Sequence, residues 1–326
     1  MIYIVSDYRG TYHYLVDKLQ EDGAELIELD PERGLDRTIS KLGILRQIMT
    51  PMLLQLRRRW TRDDAVLVIS WYLLPVLLLI RLGVLRRPGR LVSMAAFVHE
   101  GRLRQIVNLL LRALRTADLE FIVFSEAERR NLIDVVGVPA ESVHRVIYRG
   151  NMLESVPAPT SDGEYVFTGG YSNRDYETFF AAVGGLPYHV VAVASALNGL
   201  SDKPPNVELL VDIPWDEFER LIGGCALLVL PLREGGEACG QNVLFRGIRH
   251  ARPVVATRHN SLIDYLGDDY PGFVPPRDPA ALAAAIEQGL HDEGFRASML
   301  ERVQSAARWF REHEQVEAEI ARILTI

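Results

Sequence analysis

Short, almost wholly apolar runs alternate with stretches of helical period along nearly the whole chain, and this alternation limits the architecture more than any other feature. In the first half the apolar runs are residues 2–5, 24–28, 65–70, 91–98 and 121–124. Helix-period stretches lie between them at 12–19, 38–60, 73–82, 102–115 and 126–136. A strand with no polar face has to be covered on both sides. Such strands, separated by helices, predict a parallel sheet between two helical layers.

The alternation breaks once, at Ser155-Val-Pro-Ala-Pro-Thr-Ser-Asp-Gly163, a composition that reads as a linker. It then restarts, with strands predicted at 165–168, 189–194, 207–211, 226–230, 253–256 and 273–274. Helices are predicted at 176–183, 215–222, 241–249 and 280–290, and a long final helical region at 295–324. The expected fold is α/β: two Rossmann-like doubly wound domains facing a cleft, residues 1–157 and 158–326. A chain of 326 residues is long enough for two cores. The apolar stretch 65–80 contains Ser70 and Pro75 and stops at Arg81, short of the roughly 20 residues a membrane span needs. It is read as a strand and a helix. The two cysteines, Cys225 and Cys239, have no metal-ligand spacing, which excludes a disulfide scaffold and a zinc finger and favours a reducing compartment. The opening residues show no basic signal region, so a cytoplasmic protein is expected.

The net charge of −7 hides an asymmetry. Residues 41–115 hold 14 arginines and lysines against Asp63, Asp64 and Glu100, a local +11 that leaves −18 on the rest. One half is thus built to meet an anionic partner. Residues 44–62 mix Ile, Leu and Met with Arg57-Arg58-Arg59 and Trp60, and a second basic cluster runs from Arg81 to Arg90. That composition suits an interfacial helix, so an anionic membrane surface is the expected partner and the inner face of the membrane the expected location. The alternatives are a solvated basic face or one for a soluble phosphorylated acceptor. No nucleic-acid-binding module accompanies the charge, so nucleic acid is not expected.

Ligands of open parallel sheets gather at the carboxyl ends of strands, and three such loops carry chemistry. In Thr168-Gly-Gly-Tyr-Ser-Asn-Arg-Asp175 the strand ends in Gly169-Gly170, where a ligand can approach without meeting a Cβ, and Arg174 stands at the mouth of the next helix. The alternative is a tight turn capped by Asn173. In Leu230-Pro-Leu-Arg-Glu-Gly-Gly-Glu-Ala-Cys-Gly-Gln-Asn242 an apolar strand opens into Arg233, Glu234 and Glu237, and a helix starts after Gly240. That helix start is a diphosphate site, and a carboxylate beside it can accept hydrogen bonds from sugar hydroxyls; the alternative is a polar loop with solvent-facing charges. Cys239 has no histidine nearby in sequence and reads as small-residue packing rather than a nucleophile. In Ala95-Ala-Phe-Val-His-Glu-Gly101, His99 and Glu100 follow a buried strand, where the histidine can orient substrate or exchange a proton, or serve only as a hydrogen-bonded strand end. Gly10, after the first strand, similarly permits close backbone approach. Asp63-Asp64 and Asp268-Asp269 read as solvated turn charges, so no metal is expected.

At these residues the chain resembles nucleotide-sugar glycosyltransferases of the GT-B fold, family 4-like, the glycosyl transferases group 1. Phe167-Thr-Gly-Gly-Tyr-Ser-Asn-Arg-Asp-Tyr-Glu-Thr178 resembles that group's opening strand, turn and helix. Glu237-Ala-Cys-Gly-Gln-Asn-Val-Leu244 with Ala251-Arg-Pro-Val-Val-Ala-Thr257 is similar to its donor-site signature, and Gly272-Phe-Val-Pro-Pro-Arg-Asp-Pro279 to its closing segment. The first half matches through Val98-His-Glu100, Ser125-Glu-Ala-Glu-Arg129 and Val136-Gly-Val-Pro139.

The resemblance implies a donor held by the second domain, an acceptor held by the first, and a final helix crossing back to the first domain. It makes His99, Glu237 and Arg174 the catalytic candidates. Gly169, Gly170, Gly240, Gln241 and Asn242 would hold the diphosphate, Val211 and Ile213 would lie at the nucleobase, and Gly10 and Glu100 would stand on the acceptor side. It also implies a transfer of a sugar to an acceptor hydroxyl with retention, with no cofactor beyond the nucleotide-sugar co-substrate, and the basic stretch adds the expectation of a glycan or lipid-linked acceptor. An inverting route would need a base, for which Glu100, His99 or Asp7 are candidates. The family's second glutamate is missing: Phe245 and Arg246 occupy its place, and Tyr171 stands where a phosphate-binding arginine is usual. A nucleotide-sugar 2-epimerase of the same fold and a non-catalytic homologue are the competing readings.

Overall fold

In a computed structural model the chain is described at residues 1–6, 13–29, 56, 60–69, 72–94, 102–146, 163–170, 172–234, 239–312 and 316–325. It divides into two compact units, Met1–Tyr148 with Gln315–Ile326, and Arg149–Glu314. The expected boundary at 157/158 lies outside the described residues.

The first unit has one sheet of six parallel strands: β1 (Ile2–Ser6), β2 (Glu25–Glu28), β3 (Ala65–Ile69), β4 (Arg90–Met94), β5 (Leu119–Val123) and β6 (Val143–Arg145), in the order β2-β1-β3-β4-β5-β6. Tyr3 lies opposite Val66, Val66 opposite Leu91, and Leu91 opposite Leu119. Alternation of side chains along each strand supplies two cores. Val5, Val66, Val68, Phe121 and Val123 face α2 (Leu73–Arg81) and α3 (Arg102–Leu114), together with the segment after α4 (Glu126–Arg130). Ile4, Leu67, Ile69, Val92 and Ile122 face α1 (His13–Glu21) and the C-terminal helix Val316–Thr325, whose Ile320, Ile323 and Leu324 are buried among them. The apolar stretch 65–80 is thus a fully buried strand and a helix on one face of its sheet. No helix among the described residues is long and apolar enough to cross a membrane.

Leu56 and Trp60 belong to the core under the first sheet, and the Trp60 indole N–H donates to the Arg86 carbonyl at 2.6 Å. This corrects the reading of Trp60 as an interfacial anchor: spaced four residues apart, Leu56 and Trp60 cover the sheet face. The remainder of the expected interfacial helix, 44–55 and 57–59, lies outside the described residues. The long final helical region is two helices assigned to different units, and the strand β6 was not expected.

The second unit holds β7 (Tyr165–Gly169), β8 (His189–Ala194), β9 (Val207–Val211), β10 (Leu227–Leu230), β11 (Val254–Thr257) and β12 (Phe273–Val274), all parallel, in the order β12-β11-β10-β7-β8-β9. Its helices are α5 (Tyr176–Val183), α6 (Trp215–Gly223), α7 (Gln241–Arg249), α8 (Asn260–Leu266), α9 (Pro279–His291) and α10 (Glu293–Glu312). The chain builds outward from β7 to β9, returns to place β10 on the other side of β7, and builds outward again. The helices after β7 and β10 therefore lie on opposite faces, and the carboxyl ends of these two strands are the switch point, the crevice where ligands of such sheets bind. Asp175 caps α5 by accepting the Thr178 amide at 3.1 Å, and Asp278 caps α9, with Pro279 at its first position, by accepting the Ala281 amide at 2.9 Å.

Candidate functional site

The loop after β7 is shaped by Arg174, which is only 5% exposed. Its Nε donates to the Gly169 carbonyl at 2.8 Å and its Nη1 to the Ser172 carbonyl at 2.8 Å. Gly170 has φ +113, and a Cβ there would lie 2.5 Å from the Arg174 Nη2. A Cβ on Gly169 would lie 2.6 Å from the ring of Phe218 on α6. Both glycines are therefore accounted for by neighbours inside the unit. The space their missing side chains leave is filled by a guanidinium and a phenyl ring, where the sequence reading expected a ligand.

This loop is tied to the one after β10. Arg174 and Leu232 form an isolated antiparallel bridge, the Asp175 amide donates to the Pro231 carbonyl at 3.0 Å, and the Arg233 amide donates to the Asn173 carbonyl at 3.2 Å. The Asn173 side chain donates back to the Arg233 carbonyl at 3.3 Å from a φ of 53, a left-handed conformation that asparagine tolerates. The Leu232 amide donates to Thr257 Oγ1 at 2.9 Å, which brings the end of β11 into the same network. Leu232 is buried, while Arg233 is exposed at the end of the crevice.

Gly240, at φ +79, starts α7, whose first intrahelical bond runs from the Leu244 amide to the Gly240 carbonyl at 2.9 Å. The amides of Asn242 and Val243 belong to the first turn and have no acceptor within the helix. Together with the helix dipole they set a partial positive charge at this end of the sheet.

Immediately before that turn, Cys239 sits among polar side chains. Asn173 Nδ2 donates to its sulfur at 3.2 Å, His259 Nε2 lies 3.6 Å away, and the Ser261 hydroxyl donates to its carbonyl at 2.6 Å. Burial pushes the thiol up. The hydrogen bond and charge of His259, with the hydrogen bonds of Asn173 and Ser261, outweigh burial and hold the thiol below its ordinary value. His259 also caps α8, its Nδ1 accepting the Ser261 amide at 3.2 Å. Cys239 has no histidine nearby in sequence, but it has one in space. The two residues are 20 positions apart but follow neighbouring parallel strands, with Leu230 opposite Ala256.

Residues 172–292 match the family described as Glycosyl transferases group 1. That segment holds most of the crevice just described. The C-terminal unit carries a group 1 glycosyltransferase domain. Solved structures share the fold across both units. Anabaena HepE, solved with UDP and glucose, is similar at TM-score 0.64 and 16% identity over 94% of each chain. An α,α-trehalose-phosphate synthase (UDP-forming) from Burkholderia vietnamiensis is similar at TM-score 0.67 and 14% identity, covering 94% of this chain and 95% of its own. A glycosyltransferase from Rickettsia africae is similar at TM-score 0.55 and 13% identity over 98% of each. No curated protein sequence matches the chain. The fold is GT-B, and the chain is a glycosyltransferase of that fold.

Within the group 1 domain the remaining expected residues have distinct surroundings. The Gln241 side chain is buried and donates to Tyr265 Oη at 3.0 Å, so its backbone is what it can offer a ligand; Asn242 is half-buried. Val211 is exposed at the end of β9 and Ile213 half-buried, and between them Asp212 accepts the Ala196 amide at 3.1 Å. Trp215, 65% exposed, opens α6 beside them. In the place of the family's second glutamate, Phe245 is buried with its ring against Tyr265. Arg246 lies 4.9 Å over the Trp215 ring and pairs with Glu219, which also binds His250 Nε2 at 2.7 Å. Both side chains serve packing of α7 on its neighbours. Glu237, His99, Glu100 and Gly10, like Tyr171, lie outside the described residues. Among the described residues no group of three His, Cys, Asp or Glu side chains is placed to hold a metal ion.

Two residues of the crevice had no assigned role in the sequence reading. Arg233 was visible as a charge in the loop, and its exposure singles it out as the guanidinium turned to solvent there. His259 follows β11, and only the strand order could bring it to Cys239.

Proposed function

We propose that this glycosyltransferase moves a sugar from a nucleoside-diphosphate donor, held at the carboxyl ends of β7 and β10, to an acceptor hydroxyl. The observation that carries the reading is the convergence at one crevice of the α7 first turn behind Gly240 with the exposed Arg233. First-turn amides and a guanidinium together suit a diphosphate. HepE, of the same fold, was solved with UDP-glucose, which supports a nucleotide-sugar donor. The exposed apolar surface of Val211, Ile213 and Trp215 suits a nucleobase, since a flat aromatic stacks on such a surface.

In the proposed reaction the bond between the sugar and the diphosphate breaks, and negative charge gathers on the leaving group. The α7 dipole and Arg233 stabilise that charge, with Arg174 holding the loop in shape beside them. The acceptor oxygen attacks the same face and its proton passes to a phosphate oxygen, which gives retention with no metal. Following the family likeness, Glu237 and His99 act at the donor sugar, and Gly10 and Glu100, in segments leaving β1 and β4, act on the acceptor side. The acceptor is a lipid-linked or membrane-associated glycan; the 14 basic residues against three acidic ones in 41–115 support that part of the reading.

Thermal-shift and calorimetric titration with UDP, GDP, ADP, CMP and dTDP tests the donor site. The expected result is stabilisation by one nucleoside diphosphate, followed by sugar transfer from the matching donor with retention by NMR. No stabilisation by any of them overturns the reading. An epimer formed from donor alone identifies a 2-epimerase, and binding without turnover of any donor identifies a non-catalytic homologue.

A further inference from the structure

Helix α3 carries two apolar stripes, and only one of them is used. Val107, Leu111 and Leu114, at spacings of four and three, face the core under the first sheet. Ile106, Leu109 and Leu110 lie on another side of the helix and are exposed, at 54%, 66% and 41%. The polar stripe between Arg104 and Arg115 turns toward the segment after α4, where Asn108 and Asn131 exchange hydrogen bonds and Arg112 bonds the Val135 carbonyl. The unused apolar stripe is thus neither core nor helix-to-helix packing.

The neighbouring helix continues the pattern. Helices α2 and α3 pack side by side on the same face of the sheet, and past the end of α2 the chain exposes Leu82 at 65%, following the exposed Leu78. Of the twelve large hydrophobic residues exposed among the described residues, seven fall within 78–84, 106–110 and 135. Monomeric proteins scatter such residues singly, so their concentration on α2, α3 and the segments that follow α2 and α4 marks an interaction surface. The charges around it are mostly of one sign. Arg81, Arg86 and Arg112 are exposed with the apolar side chains, against an exposed Asp134 next to Val135 and an Asp118 held by Arg87. Apolar side chains at the centre and cations at the margin match the headgroup and upper acyl region of an anionic leaflet.

We propose that the exposed stripe of α3, with the end of α2, docks this protein on the surface of an anionic membrane. Leu82, Ile106, Leu109 and Leu110 would enter the interface, and Arg81, Arg86 and Arg112 would meet lipid phosphates. The inference rests on the proposed membrane-associated acceptor and gives that part of the reading a location different from the 44–62 segment first expected.

The test is co-sedimentation of the full chain with phosphatidylglycerol-containing and pure phosphatidylcholine vesicles, for the wild type, the double variant Ile106→Asp with Leu109→Asp, and the double variant Arg81→Glu with Arg86→Glu. All four positions are exposed, so thermal unfolding should be unchanged, and the donor-site titrations serve as a second control. The wild type is expected to bind the anionic vesicles, about tenfold more weakly at high salt. Each double variant is expected to bind at least about tenfold more weakly at low salt. Wild type that ignores anionic vesicles overturns both the docking surface and the membrane-held acceptor. Binding by the wild type that both variants retain overturns the surface alone. A wild-type dimer that becomes monomeric in the aspartate variant without lipid also overturns it, because the stripe would then be covered by a second copy.

Discussion

Replacing Arg174 with methionine removes a guanidinium while nearly keeping the length and apolar stem of the side chain. What is lost are the bonds from Nε to the Gly169 carbonyl and from Nη1 to the Ser172 carbonyl, both 2.8 Å and both well shielded at 5% exposure. A hydrogen bond from a charged donor is worth about 1.5–3 kcal/mol, so two set an upper range of about 3–6. Methionine recovers part of this because it no longer has to keep a charge out of water, which leaves a net loss of about 2–4 kcal/mol. For a unit of this size each kcal/mol shifts the midpoint by about 2–4 °C, so the C-terminal unit should melt on the order of 4–16 °C lower. Calorimetry of the whole chain, with circular dichroism to follow the lower transition, measures that shift. The same sample, titrated with the cognate nucleoside diphosphate, should bind more weakly, because the loop tied to α7 has lost its clamp. A variant that melts within about 1 °C of the wild type yet loses nucleotide binding would refute the reasoning. In that case the guanidinium is spent on the ligand and not on the loop.

Arg233→Ala should do the opposite, weakening nucleotide binding by about tenfold with unchanged melting, because that guanidinium is exposed. Gly169→Ala should destabilise by about 1–3 kcal/mol in calorimetry, because its Cβ would stand 2.6 Å from the Phe218 ring in a packed strand end. The two cysteines should differ in iodoacetamide labelling at neutral pH followed by mass spectrometry. Both thiols are buried, but Cys225, at 0% exposure and with its thiol pushed up to about 12 by burial, stays unlabelled, while Cys239, at 6% exposure and held below its ordinary value, is labelled slowly and more slowly still in His259→Phe. His250 is held down to about 4, first by burial and then by Arg249, Arg252 and Arg246. A histidine that protonates more readily when unfolded adds stability that is full above its unfolded value of 6.5 and is lost as pH falls toward 4. The unfolding free energy from urea melts should fall between pH 7 and pH 5 by up to about 2 kcal/mol more for the wild type than for His250→Asn, less the share that the Glu219 carboxylate at 2.7 Å returns by favouring the imidazolium.

The doubly wound fold is legible in the sequence because its strands are buried on both faces. Ala65-Val-Leu-Val-Ile69 and Leu227-Leu-Val-Leu230 have no polar position at which to confuse a two-residue period with a helical one. Elements without that signature escape. β6 is three residues with only Val143 buried, and α8 is seven residues capped by a histidine, which is not among the side chains that announce a helix start. The final helical region reads as continuous because an amphipathic pattern runs through both of its helices. The change of unit between them is a tertiary event that periodicity does not record.

At the crevice the sequence identifies the loops but not the partners of their residues. Glycine at 169 and 170 has the same appearance whether its missing side chain makes room for a phosphate or for the chain's own ring and guanidinium, and here the second holds. Arg174 and Arg233 are equivalent charges in the sequence, yet one is buried across two carbonyls and the other is exposed, because only the first lies where the bridge to Leu232 folds it inward. Cys239 and His259 illustrate the converse. Their proximity follows from β10 and β11 being adjacent and in register, so strand order alone makes a pair out of two residues that look isolated. A switch-point crevice is therefore doubly determined. The apolar strands fix where it opens, while the hydrogen bonds tying the ends of β7, β10 and β11 fix which of its polar side chains remain for a ligand. Breaking one of those bonds should alter binding even at residues no nucleotide touches, and Asn173→Ala, which removes the bonds to the Arg233 carbonyl and the Cys239 sulfur, isolates that effect. Weaker nucleotide binding would follow from a loosened crevice. Unchanged binding would mean that the tie to Pro231 and Leu232 is sufficient by itself.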